Sequence, residues 1–414
     1  MSDERRSAAL VGNARLALRN LARQRVRTGV TLAAIAFGVA ALILTGGFVR
    51  DIFVQLGEAL IHSQTGHLQI ARSGYFAGGS RTPERYLLTE AAQLRARVAA
   101  VPGVNDTLAR LSFSGLLNNG RGDLSIIGEG IEPDREARLG TSLRLVAGRG
   151  LAATDRFGII VGAGVAEALK LSVGDRVLLL VNTIHGSLNT VDFDVVGVFQ
   201  TFSKEFDDRA VRTSIGNAQQ LLDTQGVSTI VVALDRTPDT DRVGTVVRSA
   251  VGAGIDVRTW VQLNDFYEKT VALYDRQFGV LQLIVLLMVV LSVANSVNMS
   301  AFERTGEFGT MLALGNRRRD VFGLIMTENV FLGIAGAAIG LVCGLLAATA
   351  ISAVGIPMPP PPNANLGYSA RILLVPWVLA IAVIVGLGAA TLASLLPAWR
   401  ISRISIVDAL RQNI

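Results

Sequence analysis

Four stretches of the chain carry almost no charge and are long enough to cross a bilayer as helices. They run from Thr28 to Val49, from Phe278 to Phe302, from Val321 to about Val354, and from Ile372 to Leu396. A hydrocarbon core about 30 Å thick takes roughly 20 mostly apolar helical residues, and a central Asp, Lys or Arg costs about 2.5–3.5 kcal/mol to insert. Glu328, in the third run, is the one acidic residue that interrupts this pattern.

The helical pattern of the first two runs continues past their outer ends. Apolar residues recur at Val49, Ile52, Phe53, Leu56 and Leu60 after the first, and at Leu263, Phe266, Tyr267, Val271, Tyr274 and Phe278 before the second. This is the spacing of one helical face. A continuous helix from Thr28 to His62 would be about 52 Å long at 1.5 Å per residue, well beyond the hydrocarbon thickness. Two packed stalks leaving the lipid are therefore expected, with separate short helices capping a soluble domain as the alternative.

Between these runs the period changes. Alternating or short apolar segments at His67 to Ala71, Leu124 to Ile127, Val177 to Val181, Val191 to Phe199 and Thr229 to Leu234 read as strands. Helical spacing marks Glu90 to Ala100, Gly164 to Leu171 and Thr240 to Val251, and turns such as Val173-Gly174-Asp175 punctuate the whole. A segment of this length can bury its own core, as one domain or as two subdomains. The expected fold class is an α-helical membrane protein with four transmembrane helices and a large α+β extracytoplasmic domain between helices 1 and 2.

Charge sets the orientation. Of the net +6, much precedes residue 28, where Arg5, Arg6, Arg15, Arg19, Arg23, Arg25 and Arg27 face Asp3 and Glu4. Arg304 and Arg317 to Arg319 follow the second run, and Arg400, Arg403 and Arg411 follow the fourth. Short basic flanks stay cytoplasmic. The layout is then a cytoplasmic basic arm (1–27), helix 1 (28–50), the extracytoplasmic domain with its stalks (51–277), helix 2 (278–300) and a cytoplasmic loop (301–320). Helix 3 (321–354), a short Pro-rich outer loop (355–371), helix 4 (372–396) and a cytoplasmic tail (397–414) complete it, with both termini inside. A cleaved signal peptide is the rival account of the first run, which is longer than an ordinary signal core and lacks a clear small-residue cleavage site.

Candidate chemistry is sparse. The single cysteine, Cys343, sits in an apolar run, so neither an intrachain disulfide nor a thiolate metal site can form. His62, His67 and His185 make no HExxH pair and read as structural or surface histidines. No GxSxG elbow occurs, and Gly162 with Gly164 lacks the rest of a dinucleotide fingerprint. No groove-reading or zinc module accompanies the basic charge, which argues against nucleic acid. The chain also lacks GxxxxGK[ST], so it holds no P-loop nucleotide site, and no catalytic, cofactor-binding or metal-ligating residue is assigned.

In the third run, Gly336, Gly340 and Gly344 recur every four residues, with Gly333 nearby. Such a small face lets another helix approach closely, in the same subunit or in a second one. Glu328 lies about two turns in, where an ionisable residue signals either function or a paired structural role; a basic residue of the inner flank is the expected partner.

The loop reads Ala301-Phe-Glu-Arg-Thr-Gly-Glu-Phe-Gly-Thr-Met-Leu-Ala-Leu-Gly315, followed by Asn316 and Arg317 to Arg319. Glu303 and Glu307 fall one turn apart, Phe302, Phe308, Met311, Leu312 and Leu314 supply an apolar face, and Gly315 suits a C-terminal cap. Physics alone leaves two readings, a helix lying in the headgroups and a helix docking on a partner. Glu303-Arg304-Thr305-Gly306-Glu307-Phe308-Gly309 and Leu312-Ala313-Leu314-Gly315 resemble the ERTREIGxLRALGAxRR signature of FtsX-like permeases. Ala147-Gly148-Arg149 with Ile160-Val161-Gly162, Leu171 to Asp175, and the tail from Pro397 to Arg411 resemble the same MacB/LolC/LolE-type family.

The resemblance implies the membrane subunit of an ABC system in which 301 to 315 is a coupling helix docked on a cytoplasmic ATPase. Its contacts would be Glu303, Arg304, Glu307, Leu312, Leu314 and Gly315, with Gly306 and Thr310 departing from the family's usual Arg. ATP and Mg would bind the partner ATPase, not this chain. The implied partners are two ATPase subunits, a second permease copy or paralogue, and a periplasmic adaptor, lipoprotein or lipoprotein carrier. The implied role is release of lipoproteins from the bacterial inner membrane or export of periplasmic substrates. The alternative is an FtsX-like signalling protein that activates a cell-wall hydrolase and moves no substrate.

Overall fold

The structure is a computed structural model that describes residues 25–78, 83–139, 143–360, 365 and 367–403. Most of the basic arm, the tail beyond 403, whose Ser405 and Asp408 are placed in the sequence to cap a short helix carrying Leu410, and part of the Pro-rich loop lie outside the described residues. The described chain divides into a helical unit, drawn from 1–53, 271–356 and 369–414, and an α/β unit, drawn from 54–270 and 357–368.

Helix α1 spans Arg25–Leu60, 36 residues or about 54 Å, without a break. A wider, π-helical turn, Ile61–Thr65, finishes it, and Gly66 at φ 64° turns the chain into the sheet. That positive φ favours glycine, and its amide donates to the Ile61 carbonyl at 2.9 Å, satisfying one carbonyl of the closing turn.

The α/β unit holds strands β1 (Leu68–Arg72), β2 (Val104–Asn118), β3 (Asp123–Ile131), β4 (Arg144–Gly148), β5 (Gly158–Gly162), β6 (Arg176–Asn182), β7 (Leu188–Gln200), β8 (Ala210–Ser214), β9 (Thr229–Leu234) and β10 (Ile255–Thr259). Its helices are α2 (Ala91–Ala99), α3 (Pro133–Leu139), α4 (Ala163–Leu169), α5 (Ile215–Leu222) and α6 (Thr240–Val251). The strands run β10-β1-β9-β2-β3-β8-β5-β7-β4, and β6 pairs with both β2 and β7. The path β2-β3-β8-β5-β7-β6 therefore returns to β2 and closes a ring. Two pairs, β3 with β8 and β5 with β7, are parallel.

Alternation along the strands gives the ring a dry inside. Leu111, Phe113, Ile159, Val161, Phe193 and Val211 form its core with Val165 of α4 and Leu221 of α5. A second core lies where β1, β9 and β10 meet α2 and α6, through Leu68, Ile70, Ile230, Val232, Leu94 and Val247. Two subdomains share one sheet through the long strand β2.

The remaining helices are α7 (Asp265–Glu303), α8 (Thr305–Ala313), α9 (Arg318–Val354) and α10 (Pro376–Ile401). Among the described residues four helices, the first, α7, α9 and α10, are long and apolar enough to cross a membrane. Three boundaries differ from those expected. Residues 301 to 315 are not one helix: α7 runs on to Glu303, the chain breaks at Arg304, and α8 begins afresh at Thr305. Helix α9 starts at Arg318, where the Arg317 amide donates to Asp320 Oδ2 at 2.8 Å. The fourth helix starts at Pro376 instead of Ile372, because proline is well placed in a first turn. The residues before it are held by other partners. The Arg371 amide donates to Asp51 Oδ2 at 2.8 Å, that of Ile372 to Ser352 Oγ at 3.0 Å, and that of Leu373 to the Gly47 carbonyl at 3.2 Å.

Ile35, Val39 and Ile43 of α1 pack with Val289 and Val293 of α7, Ala337 of α9 and Ala389 of α10 in the helical core. The glycine stripe faces α1 of the same chain. A Cβ on Gly336 would stand 2.8 Å from Ile35, on Gly340 2.7 Å from the Ala36 carbonyl oxygen, and on Gly344 2.9 Å from Ile43. Gly333 instead meets α10, at Ala390 and Leu387.

Candidate functional site

The break between α7 and α8 gathers charge. Arg304 donates from Nη1 to Glu328 Oε2 of α9 at 2.7 Å and from Nε to Glu307 Oε2 of α8 at 2.8 Å. Its guanidinium carbon also stands 5.0 Å from the centre of the Phe308 ring. Glu328 thus has a basic partner from the break that follows α7, and both groups are largely buried. Glu303 lies on the other side of the break, paired with Arg27 of α1. Thr31 of α1 and Ser296 of α7 bring their hydroxyl oxygens to 2.6 Å one turn deeper. Arg27, Thr31, Ser296, Arg304, Glu328 and Asn329 line a cavity of about 50 Å³, the scale of one or two waters.

Helix α8 buries Thr305, Gly306, Phe308 and Gly309 and leaves Glu307 and Thr310 exposed. It ends as the sequence predicts. Gly315 has φ 92°, its amide donates to the Leu312 carbonyl, and that of Asn316 donates to Met311, each at 3.1 Å. This pair of bonds is the Schellman arrangement, which satisfies carbonyls that the helix end leaves open. Leu312 is half-buried, whereas Leu314 is 81 % exposed and Phe302 68 %. The expected contact residues accordingly divide: Arg304 and Leu312 are held within the unit, and Glu303, Glu307, Leu314 and Gly315 stand at its surface, beside the exposed Phe302.

A second charged cluster, in the α/β unit, has no counterpart among the residues picked from sequence. Cross-strand register puts Arg110 opposite Ile131, Glu129 opposite Arg212, and Arg212 opposite Ile160, all on the outer face of the ring. Arg110 holds Glu136 of α3 through Nε at 3.2 Å and through Nη2. Arg212, 0 % exposed, donates from Nε to Glu129 Oε2 at 2.9 Å. The same two guanidiniums reach the end of the first helix: Arg212 Nη2 donates to the Ser63 carbonyl at 3.1 Å, and Arg110 Nη1 to that of Gln64. Cations at a helix C-terminus complement its dipole and its open carbonyls. The arginines position the last turn of this helix on the sheet. The signal for them was present as charged residues within strand-like alternation, at Ala210-Arg212-Ser214 beside Val211 and Thr213.

The histidines also take structural roles. His67 Nδ1 accepts from the Leu234 amide at 3.2 Å, so its proton sits on Nε2, 3.1 Å from Thr237 Oγ1. Burial, then the neighbouring His62, lowers its pKa to about 4. His62 Nδ1 lies 3.0 Å from the Leu139 carbonyl, and His185 is exposed near Asp223. In the Pro-rich loop, Asn365 belongs to the α/β unit. Its side chain donates to Asp207 Oδ2 at 2.6 Å, and Asp207, fully buried, also accepts from the amide and hydroxyl of Thr201. Burial raises the Asp207 pKa despite these bonds.

Comparison with known proteins finds two families along the chain. Residues 28–250 match the MacB-like periplasmic core domain, and residues 279–406 match the FtsX-like permease C-terminal family. The lipoprotein-releasing system transmembrane protein LolC of Neisseria meningitidis is 26 % identical over 341 residues, covering 77 % of this chain and 76 % of the relative. The macrolide export ATP-binding/permease protein MacB of Hyphomonas neptunium is 23 % identical over 424 residues, which is 97 % of this chain and 61 % of that longer protein. Among solved structures, the periplasmic region of MacB from Actinobacillus actinomycetemcomitans aligns with 50 % of this chain and 94 % of its own length, at 14 % identity and a TM-score of 0.37.

Proposed function

Because this chain belongs to the FtsX-like, MacB-type family of ABC transporter permeases, we propose that it is the inner-membrane subunit of a machine driven by a separate cytoplasmic ATPase. The ATPase works against the surface formed by α8 and the turns around it, and the α/β unit acts on cargo on the opposite side of the membrane. The relative named as a lipoprotein-releasing protein favours lipoprotein release, with export of other periplasmic substrates as the broader class.

The observation that carries the reading is the apolar exposure at the inner ends of the helices. Phe302 and Leu314 are open on either side of α8 while Arg304 and Phe308 fix that helix from beneath. Large apolar side chains next to charged ones, held on a buttressed element, suit a protein partner. The sequence is consistent with such a partner: none of Lys170, Lys204 or Lys269 follows a glycine, so these residues hold no P-loop lysine. Motion would travel along α1 and α7, each of which begins in one unit and ends in the other.

Leu314→Asp tests the reading with little effect on the fold, since the side chain is already in solvent. Co-purification with the ATPase should fall by about tenfold or more, as for loss of a buried apolar anchor. ATPase capture and stimulated hydrolysis equal to wild type would show that α8 does not couple.

A further inference from the structure

The last turns of the first helix have a further fastening, chemically unlike the two arginines. Glu58, His62 and His67 converge there with Thr237 of the short turn Thr237–Asp239, all within the α/β unit and beyond the 28–50 span. His62 Nε2 lies 3.3 Å from Glu58 Oε2, and its Nδ1 lies 3.0 Å from the carbonyl oxygen of Leu139, the last residue of α3.

The partners fix the direction of each bond. The Leu234 amide can only donate, so His67 accepts at Nδ1 and donates from Nε2 to Thr237 Oγ1. Thr237 in turn donates its hydroxyl proton to the Glu58 carboxylate, which His62 and Thr237 hold below its usual pKa. A carboxylate and a carbonyl oxygen both only accept, so His62 meets an acceptor at each ring nitrogen. Neutral imidazole has one N–H, and either tautomer would aim a lone pair at one of these oxygens. Imidazolium, with two N–H groups, satisfies both, and the C-terminal end of α3 favours the same positive charge.

Two histidines and a carboxylate could also suggest a metal site, but the His67 tautomer argues against one. Its Nε2 carries a proton and is committed to Thr237, which leaves His62 and Glu58 alone. Among the described residues no three His, Cys, Asp or Glu side chains are placed to hold a metal ion. The other charges nearby have their own partners. On α3, Arg135 and Arg138 pair with Asp106 and Glu136 pairs with Arg110, while Asp134 sits in the opposite, first turn. Asp239 pairs with Arg242, and Arg236 is exposed. His67 stays neutral down to about pH 4. Arg212 and Arg110, which hold the Ser63 and Gln64 carbonyls, stay charged at every pH. The turn thus has two permanent cationic holds and one that depends on a proton.

We propose that His62 is a proton-operated clamp between the end of the first helix and α3, closed when the ring is charged and open when it is neutral. In the open state the ring keeps one of its two acceptors, and the arginines alone hold the turn on the sheet. The hydrogen bond with Glu58 outweighs burial and, with that to Leu139, raises the His62 pKa above 6.5. The clamp is therefore fully closed below pH 6.5 and opens as pH rises through the folded value. Surrounding pH then sets how firmly the stalk end is fastened, whether or not α8 couples to an ATPase.

The full-length protein in lipid nanodiscs, with ¹⁵N in the rings of its three histidines, provides the test. Titrated from pH 5 to 9, His62 should show protons on both ring nitrogens until the pH passes 6.5, while His67 keeps one protonated and one bare nitrogen throughout. Amide exchange across residues 61–66, corrected for its intrinsic pH dependence, should rise about threefold or more through the same transition, the scale of a half-exposed ion pair. Glu58→Gln should move both transitions to lower pH together, because the carboxylate that favours imidazolium is gone. His62→Gln, which also identifies the His62 signals, should make exchange of the turn independent of pH. A His62 midpoint at or below 6.5 would overturn the proposal. So would exchange that ignores the His62 transition, transitions unmoved by Glu58→Gln, or a pH dependence that survives His62→Gln.

Discussion

Arg304 makes contacts of unequal weight, and the difference is testable. Its pair with Glu328 is mostly shielded from solvent, whereas Glu307 is half exposed one turn along the same loop. Breaking a buried pair leaves an uncompensated charge and costs about 3–5 kcal/mol, while an exposed helical pair is worth about 0.3–0.5 kcal/mol. Glu328→Ala should therefore lower the thermal midpoint of the detergent-solubilised protein far more than Glu307→Ala. Equal shifts would remove the structural role given to Glu328. His67 carries a second residue-scale prediction. With the folded pKa near 4 and the free value at 6.5, both states are neutral above pH 6.5 and its contribution to stability is complete there. Between 6.5 and 4 the unfolded chain binds a proton that the folded one refuses, so stability falls as pH falls. Gln at this position can accept from Leu234 and donate to Thr237 at every pH. His67→Gln should flatten the loss of melting temperature between pH 7 and 4.5, and parallel pH profiles for the two proteins would count against it.

At the scale of elements, α9 lies close to α1 because glycine leaves room for it. A methyl on Gly340 would meet the Ala36 carbonyl oxygen and Val39, whereas one on Gly388 of α10 would meet nothing within 4 Å. Gly340→Ala should cost about 1–3 kcal/mol through overpacking. Gly388→Ala should be neutral or gain up to about 1 kcal/mol from helix propensity. The reverse order in chemical denaturation would mean that α1 and α9 are not packed as described. The four spanning helices, α2, α4, α6 and the five expected strands were legible because their hydrophobic period persists over many residues, whereas α3, α5, β2, β4 and β10 were not picked out. Strand β8 was not, since Arg212 falls where a buried strand should have an apolar residue. Nor was β5, whose five buried residues are too few to separate strand from helix by period. The break at Arg304 was hidden for a different reason. Glu303 and Glu307 have helical spacing, and it is their separate partners, Arg27 and Arg304, that divide them between two helices.

For the whole molecule, flanking arginines predict that the α/β unit and the α7–α9 turns lie on opposite sides of the membrane. With Cys343 replaced by Ser, a cysteine at Ser187 in the β6–β7 turn should react with a membrane-impermeant maleimide added outside spheroplasts. One at Asn316 should react only after lysis. Labelling of Asn316 from outside with protection of Ser187 would invert the topology and place α8 away from any cytoplasmic ATPase. The sequence by itself determined the four spans, the α+β composition of the segment between the first two, and that no GxxxxGK[ST] motif occurs in it. Each of these is a property of contiguous residues: length without charge, local period, or a fixed motif. Tertiary structure alone decided which helix the glycine stripe meets, which base holds Glu328, and how β6 closes the ring. It also decided that Arg110 and Arg212 grip the end of the first helix. Those facts depend on residues tens to hundreds of positions apart, and local pattern carries no information about which distant side chain completes a buried charge or a hydrogen bond.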